Sequence, residues 1–129
     1  MKPLLGFALL AIASAVQAEP LSVRVGESWV FKISDGQPAA AHKTEATAKP
    51  AKGEIMIAVR GLFGTTMILT NNTAVSYSFN AELLPGRNMT AVRTCTLPPG
   101  GKPVVEQWDQ KAEFVRISNF RAAGNEGVC

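Results

Sequence analysis

The regular alternation of apolar and polar residues in short segments is the feature that most constrains the fold of this chain. The clearest case covers residues 75–83, where Val, Tyr, Phe, Ala and Leu alternate with Ser, Asn and Glu. A period of two gives an extended strand one buried face and one polar face. No stretch after residue 18 sustains the 3.6-residue period of an amphipathic helix. The pattern therefore predicts an all-β domain.

Short apolar segments of this kind recur along the chain, with turn-forming residues between them. They cover residues 21–25, 29–33, 54–60, 65–70, 75–83, 90–97, 104–108 and 114–120. Clusters of Gly, Pro and Asn, such as Pro98–Gly101, mark the intervening turns. Strands of this length and spacing are typical of antiparallel sandwiches and barrels. We predict an antiparallel, immunoglobulin-like β-sandwich of about seven or eight short strands.

The segment Ser34–Gly53 breaks this pattern, because it contains no large apolar side chain. Its Ala, Lys, Thr, Pro and Gly residues cannot build a core, which predicts a solvated, flexible loop. Propensity alone favours a short helix over 39–49, although such a helix without an apolar stripe is marginal. A loop of this length is unusual inside a compact domain.

The N-terminal residues have the three parts of a secretory signal peptide: a lysine, an apolar run over 4–16, and small residues at Val16 and Ala18. The alternative is a retained membrane anchor, but a transmembrane helix needs about 20 apolar residues. We expect cleavage to remove residues 1–18 and to leave a single domain, 19–129. That domain is expected to be periplasmic or secreted, with no membrane insertion after cleavage.

The chain has two cysteines, Cys95 and Cys129. Export into an oxidising compartment favours a disulfide bond between them. The bond would close a loop of about 35 residues, which corresponds to about 4 kcal/mol of stability in the chain-entropy model. Two free thiols, or a dimer linked through the terminal cysteine, are the alternatives.

Charge and residue types exclude several classes of function. The 13 basic and 10 acidic side chains are nearly balanced, so that neither nucleic acid nor an anionic membrane is indicated as a partner. The single histidine, His42, lies in the Ala/Lys-rich segment, where no nucleophile and carboxylate are expected to be held beside it. One histidine and two distant cysteines do not form a zinc or copper site. We therefore predict no cofactor, no metal and no catalytic residues.

Other residues that could carry chemistry have simpler interpretations. Met56, Met67 and Met89 are expected to fill the core rather than to bind copper. Glu106 and Asp109 are three residues apart, an offset that points them to opposite faces of a strand. We expect both carboxylates to be solvated or salt-bridged.

Two N-glycosylation sequons begin at Asn71 and Asn88, and both fall in predicted turns, where the acceptor would be accessible. They matter only in a eukaryotic source. Trp29 and Tyr77 alternate with other aromatic residues and are expected to pack in the core. Trp108 ends its segment, so both packing and exposure remain open for it.

Five short motifs together carry a resemblance to a group of proteins. They are Gly64–Met67, Thr70–Thr73, Cys95–Gly101, Glu106–Trp108 and Asn119–Arg121. Across residues 54–121 the chain resembles uncharacterised small exported β-sandwich proteins of Gram-negative bacteria. The resemblance implies a location and a fold, and it implies no activity.

These observations favour a non-enzymatic exported binding or structural module of the cell envelope. Its partner is expected to be another envelope or secreted protein. The alternative is an accessory protein or inhibitor acting on an envelope enzyme. Recognition through an exposed edge strand is expected, either Leu21–Val25 or the strand that borders the flexible loop.

Overall fold

The computed structural model describes residues 18–85 and 88–124, and the chain within them forms β-strands and no helix. The strands are β1 (Leu21–Arg24), β2 (Ser28–Ser34), β3 (Gln37–Thr44), β4 (Glu54–Arg60), β5 (Thr65–Asn72), β6 (Tyr77–Leu84), β7 (Thr90–Val92), β8 (Pro103–Trp108) and β9 (Phe114–Ala122). Most of the predicted signal peptide and the terminal residues 125–129 lie outside the described residues. No described segment is a helix of the length and apolarity needed to cross a bilayer.

The described strands form two antiparallel sheets that pack face to face. One sheet has the order β1-β9-β6-β7, and the other has the order β3-β2-β4-β5-β8. Each sheet turns one face toward the other, so that alternating side chains meet in a shared core. The prediction of an all-β antiparallel sandwich is confirmed.

One expectation about the secondary structure is wrong. Within the segment predicted as a loop, Gln37–Thr44 forms β3, which pairs with β2 at the edge of its sheet; the predicted short helix is not formed. Asp35 and Gly36 both have positive φ, 53° and 77°, which suits a tight hairpin turn. An edge strand also needs little apolar surface, and the two buried residues of β3 are Pro38 and Ala39. The loop proper is confined to residues 45–53, and its mobility stays a prediction.

The core is built from the inward-facing residues of both sheets, and Phe120 lies among three aromatic rings. Its ring centroid is 5.7 Å from Phe31, 5.8 Å from Tyr77 and 5.1 Å from Phe79. Tyr77 and Trp29 pack against this core, as predicted, and so does Trp108. These contacts join the two sheets.

The alternation in β9 is ambiguous in sequence because the strand contains a bulge. Val115 and Ile117 face the core with no exposed surface, and Phe120 is also buried. Asn119, which lies between Ile117 and Phe120, has a positive φ of 55° and stands where the register with β6 shifts. The extra residue moves Phe120 onto the core face.

Candidate functional site

Exposed apolar side chains concentrate on the five-stranded sheet. The large hydrophobic residues that are exposed in the described chain are Leu62, Phe63, Val75, Met89 and Val105. Three of them, Leu62, Phe63 and Val105, belong to the hairpin between β4 and β5 or to the neighbouring strand β8. Since contiguous exposed apolar surface marks interaction sites more often than scattered residues do, this group is the candidate site.

Val105 lies on the outer face of the sheet, in a row with apolar neighbours. The register pairs Ala58 with Ile68 and Ile68 with Val105 across β4, β5 and β8. The residues before and after Ile68 in β5, Met67 and Leu69, point toward the core and are fully buried. The outer face therefore carries an apolar row that ends in Val105, which is 62% exposed.

The β4–β5 hairpin folds over the same outer face. The carbonyl oxygen of Leu62 accepts a hydrogen bond from Thr66 Oγ1 at 3.1 Å and from Gln107 Nε2 at 3.3 Å. Thr66 and Gln107 are register partners whose side chains point outward. The tip consequently stands beside the apolar row. We call the surface formed by Ala58, Leu62, Phe63, Ile68 and Val105 the docking face.

Phe63 is strained as well as exposed. Its φ is 50°, a left-handed conformation that is unusual for a bulky residue, and its side chain is 87% exposed. The next residue, Gly64, has a φ of 105°, and a Cβ atom there would lie 2.3 Å from the carbonyl oxygen of Trp108. The hairpin is thus packed against the end of β8, which fixes the position of its tip.

A groove of about 530 Å³ lies on the same face, between the 45–53 loop and the sheet. Residues 46–50 form one wall, and Met56, Thr70 and Pro103 are among the residues of the other. The loop is anchored by Asn72, whose Nδ2 donates to the carbonyl oxygen of Pro50 at 2.9 Å. This covering loop explains why Met56 is buried although it faces outward.

The carboxylates Glu106 and Asp109 are not brought together as a pair. Glu106 is buried at the core side of β8 and accepts a hydrogen bond from the backbone N–H of Cys95, while Asp109 is exposed. Nearby, Trp108 Nε1 donates to the carbonyl oxygen of Arg93 at 3.3 Å. The expectation that Glu106 is solvated or salt-bridged is wrong. The carboxylate instead binds the backbone N–H of Cys95, in the segment that follows β7. The strand predicted over 90–97 is shorter in the structure, because β7 ends at Val92.

His42 is exposed on β3, and its ring nitrogen lies 3.4 Å from the carbonyl oxygen of Ala40. Three strands separate β3 from β8, and the register places His42 in line with Pro103, three residues before Glu106. The two side chains are therefore at least about 19 Å apart at ordinary strand spacing. The described residues contain no group of three or more His, Cys, Asp or Glu that could hold a metal ion. Met67 is buried in the core as predicted, whereas Met56 is buried on the outer face under the loop and Met89 is 47% exposed, so neither of these two fills the core between the sheets.

The structure tests the accessibility of the two predicted glycosylation sites, and it does not describe one of the two cysteines. Asn71 is fully buried in β5, and its Nδ2 donates to the carbonyl oxygen of Val75 at 2.8 Å. The expectation of an accessible acceptor is therefore wrong at Asn71, while Asn88 is exposed. Cys129 lies outside the described residues, so the disulfide bond with Cys95 stays a prediction.

Glu27 connects the β1–β2 turn to β2 and β3. Its carboxylate accepts hydrogen bonds from Trp29 Nε1 at 3.0 Å and from the N–H of Arg24 at 3.2 Å, and it lies 3.1 Å from Lys43 Nζ. The Trp29 N–H above all, and then Lys43 and Arg24, hold the pKa of Glu27 below its ordinary value, although partial burial opposes them. Glu27 is therefore a structural carboxylate at the edge of the sandwich.

Sequence reasoning missed the docking face. The available signal was the pair Leu62–Phe63 between Gly61 and Gly64, since two large apolar residues are out of place at a predicted hairpin turn. The neighbouring position of Val105 depends on the pairing of β8 with β5 and has no local signal. Comparison with known families, curated proteins and solved structures found no significant match.

Proposed function

We propose that this protein is a non-enzymatic exported binding module of the cell envelope, which docks onto another envelope or secreted protein through the docking face. The observation that carries the proposal is Phe63, an aromatic side chain that is 87% exposed on a residue with a φ of 50°. Left-handed backbone at a non-glycine residue costs free energy, and such strain concentrates at functional sites.

Folding does not account for Phe63. Its ring adds nothing to the core, and a glycine would adopt the same backbone without strain. Exposed aromatic residues are common anchors of protein–protein interfaces, where they fill a pocket on the partner. Leu62 and Val105 extend the apolar centre, and the polar side chain of Gln107 lies at its border, an arrangement typical of interfaces.

The tip is held in place before any partner arrives. Two side chains fix the carbonyl oxygen of Leu62, and Gly64 packs against the backbone of Trp108. A rigid binding element loses little conformational entropy on association, which favours affinity. The non-enzymatic part of the proposal is supported by the separation of His42 from Glu106 and by the structural role of Glu106 in binding the Cys95 N–H.

The test is affinity capture from envelope extract with immobilised domain, comparing the natural chain with Phe63→Gly. Met89→Ser is the matched control, because it removes an exposed apolar side chain outside the docking face. We expect the natural chain and Met89→Ser to retain the same protein, and Phe63→Gly to retain at least tenfold less. Equal capture by all three would overturn the proposal.

An accessory protein or inhibitor of an envelope enzyme is the second candidate function. The exposed Phe63 favours it, because an aromatic side chain on a fixed hairpin can enter a cleft of the enzyme. If the captured partner is an enzyme, the natural chain should change its activity and Phe63→Gly should not. If the natural chain captures an enzyme without changing its activity, the binding-module function stands and the inhibitor function is excluded.

A further inference from the structure

The described sandwich has four edge strands, and three of them are short or blocked. β7 has 3 residues and β1 has 4, and the N–H of Arg24 in β1 is bound by Glu27. β3 contains Pro38 and a left-handed residue, Ala40 with a φ of 53°, and the carbonyl oxygen of Pro38 already accepts a hydrogen bond from the N–H of Glu19. Such features protect edges against pairing with other chains.

The fourth edge strand, β8, is regular. It pairs with β5 without a register shift, from Pro103 opposite Thr70 to Trp108 opposite Thr65. Its charged residue, Glu106, points inward and is engaged by Cys95. The residues on its outer side, Val105 and Gln107, are exposed and uncharged.

The hydrogen bonds of β5 show which backbone groups of β8 face outward. The carbonyl oxygen of Asn72 accepts from Gly53 on the β4 side, and that of Asn71 accepts from Gly101 on the β8 side. Because successive residues of a strand direct their backbone groups to opposite sides, the odd-numbered residues of β5 face β8.

The register then fixes the pattern in β8 itself. Val104, Glu106 and Trp108 lie opposite the odd-numbered residues of β5 and exchange hydrogen bonds with them. Val105 and Gln107 direct their N–H and C=O groups to the open edge, where no hydrogen bond from a described residue reaches them. Pro103, which has no N–H to donate, belongs to the same outward set, as expected for a proline in an edge strand.

We infer that β8 is a strand-addition site, where an extended polypeptide segment of the partner pairs with the backbone of Val105 and Gln107 as a sixth strand of the sheet. This inference rests on the proposed function, since β8 borders the docking face. Strand addition obtains affinity from main-chain hydrogen bonds and specificity from alternate side chains. The partner residue opposite Val105 would lie on the outer face, where an apolar β-branched or aromatic side chain forms the best cross-strand pair.

The probe is a set of synthetic 12-residue peptides selected from a displayed random library against the natural domain. Val105→Pro removes the outward N–H and keeps an apolar side chain, whereas Val105→Thr keeps the N–H and the branched shape. We expect Val105→Pro to weaken peptide binding at least tenfold and Val105→Thr to weaken it less than threefold. Selected sequences should alternate β-branched or aromatic residues with polar ones.

Amide hydrogen exchange on the natural chain gives a measurement that needs no variant. Saturating peptide should slow exchange at Val105 and Gln107 at least tenfold, with a much smaller effect at Val104 and Glu106, which are already bonded to β5. Unchanged exchange at Val105 and Gln107, unchanged binding by Val105→Pro, or the failure of the library to yield any binder would each overturn strand addition. The proposed function fails separately, if Phe63→Gly captures the envelope partner as well as the natural chain does.

Discussion

The carboxylate of Glu106 accepts a hydrogen bond from the backbone N–H of Cys95, which ties the chain beyond β7 in one sheet to the edge strand β8 of the other. Glu106 is 9% exposed and lies on the core side of β8. Cys95 lies beyond the end of the β6–β7 pairing. The Glu106 carboxylate therefore accepts the hydrogen bond that a neighbouring strand would otherwise accept. A buried backbone N–H without an acceptor costs about 1–3 kcal/mol.

Replacement of Glu106 should therefore depend on whether an acceptor remains. We expect Glu106→Leu to lower the free energy of unfolding by about 2 kcal/mol, and Glu106→Gln, which keeps an amide oxygen, to lower it by less than about 1 kcal/mol. Urea denaturation followed by tryptophan fluorescence measures both values. Equal losses in the two variants would contradict the role of the hydrogen bond.

Phe63→Gly should stabilise the domain while it weakens partner capture. The left-handed backbone costs a non-glycine residue about 1–2 kcal/mol, and the added freedom of glycine in the unfolded chain offsets part of this gain. We expect a net increase of about 0.5–1 kcal/mol in the free energy of unfolding. Phe63→Ala removes the ring but keeps the strain, so it should lose capture without a gain in stability. Destabilisation by the glycine would show that the ring supports the fold.

Gly64→Ala should be strongly destabilising, because it adds a clash to backbone strain. The new Cβ would lie 2.3 Å from the Trp108 carbonyl oxygen, whereas at Gly100, with a similar φ of 99°, no atom lies within 4 Å of the equivalent position. Gly100→Ala therefore measures the strain alone, about 1–2 kcal/mol. Thermal unfolding of both variants should show a distinctly larger loss for Gly64→Ala. Similar losses would mean that the hairpin yields and is not fixed by β8.

The contribution of Glu27 to stability should depend on pH. Its pKa is lowered in the folded protein, so its ionised form stabilises the fold above its unfolded pKa of about 4.3, and this contribution is lost as the pH falls through the folded value. The difference in unfolding free energy between the natural chain and Glu27→Gln should be largest near neutral pH and shrink toward about pH 3. Glu45→Gln, at an exposed loop position, is the matched control for the removal of one surface carboxylate. A difference independent of pH would exclude the ionic contribution.

Cys95 and Cys129 are expected to form a disulfide bond, because export into an oxidising compartment favours pairing of the two thiols. Among the described residues, Tyr77 in β6 pairs with Leu97 on one side and with Ala122 on the other, so Leu97 and Ala122 are about 10 Å apart at ordinary strand spacing. Thiol titration of unfolded, unreduced protein should find no free thiol, and Cys129→Ser should cost about 2–4 kcal/mol. Two titratable thiols, or a dimer on a non-reducing gel, would refute the intramolecular bond.

The strands that face the core could be predicted from sequence, because burial of one face imposes an alternation that local inspection detects. β3 could not, since an edge strand of Ala, His and Lys buries too little to show a pattern, and only Asp35-Gly36 signals its hairpin. The bulge at Asn119 obscured the alternation of β9 for a similar local reason. The docking face depends on the register of β8 with β5. These strands are distant in sequence, and the sequence of neither strand shows which partner it pairs with.

The way the β4–β5 hairpin is held has a consequence for how this protein can change over generations. Its anchors are the carbonyl oxygen of Leu62 and the absent side chain of Gly64, and neither depends on which side chain stands at position 62 or 63. Mutations at these two positions can therefore alter the choice of partner while the scaffold keeps its shape. Among descendants of this chain, we expect Gly64, Thr66 and Gln107 to be retained under purifying selection and positions 62 and 63 to diversify with their partners.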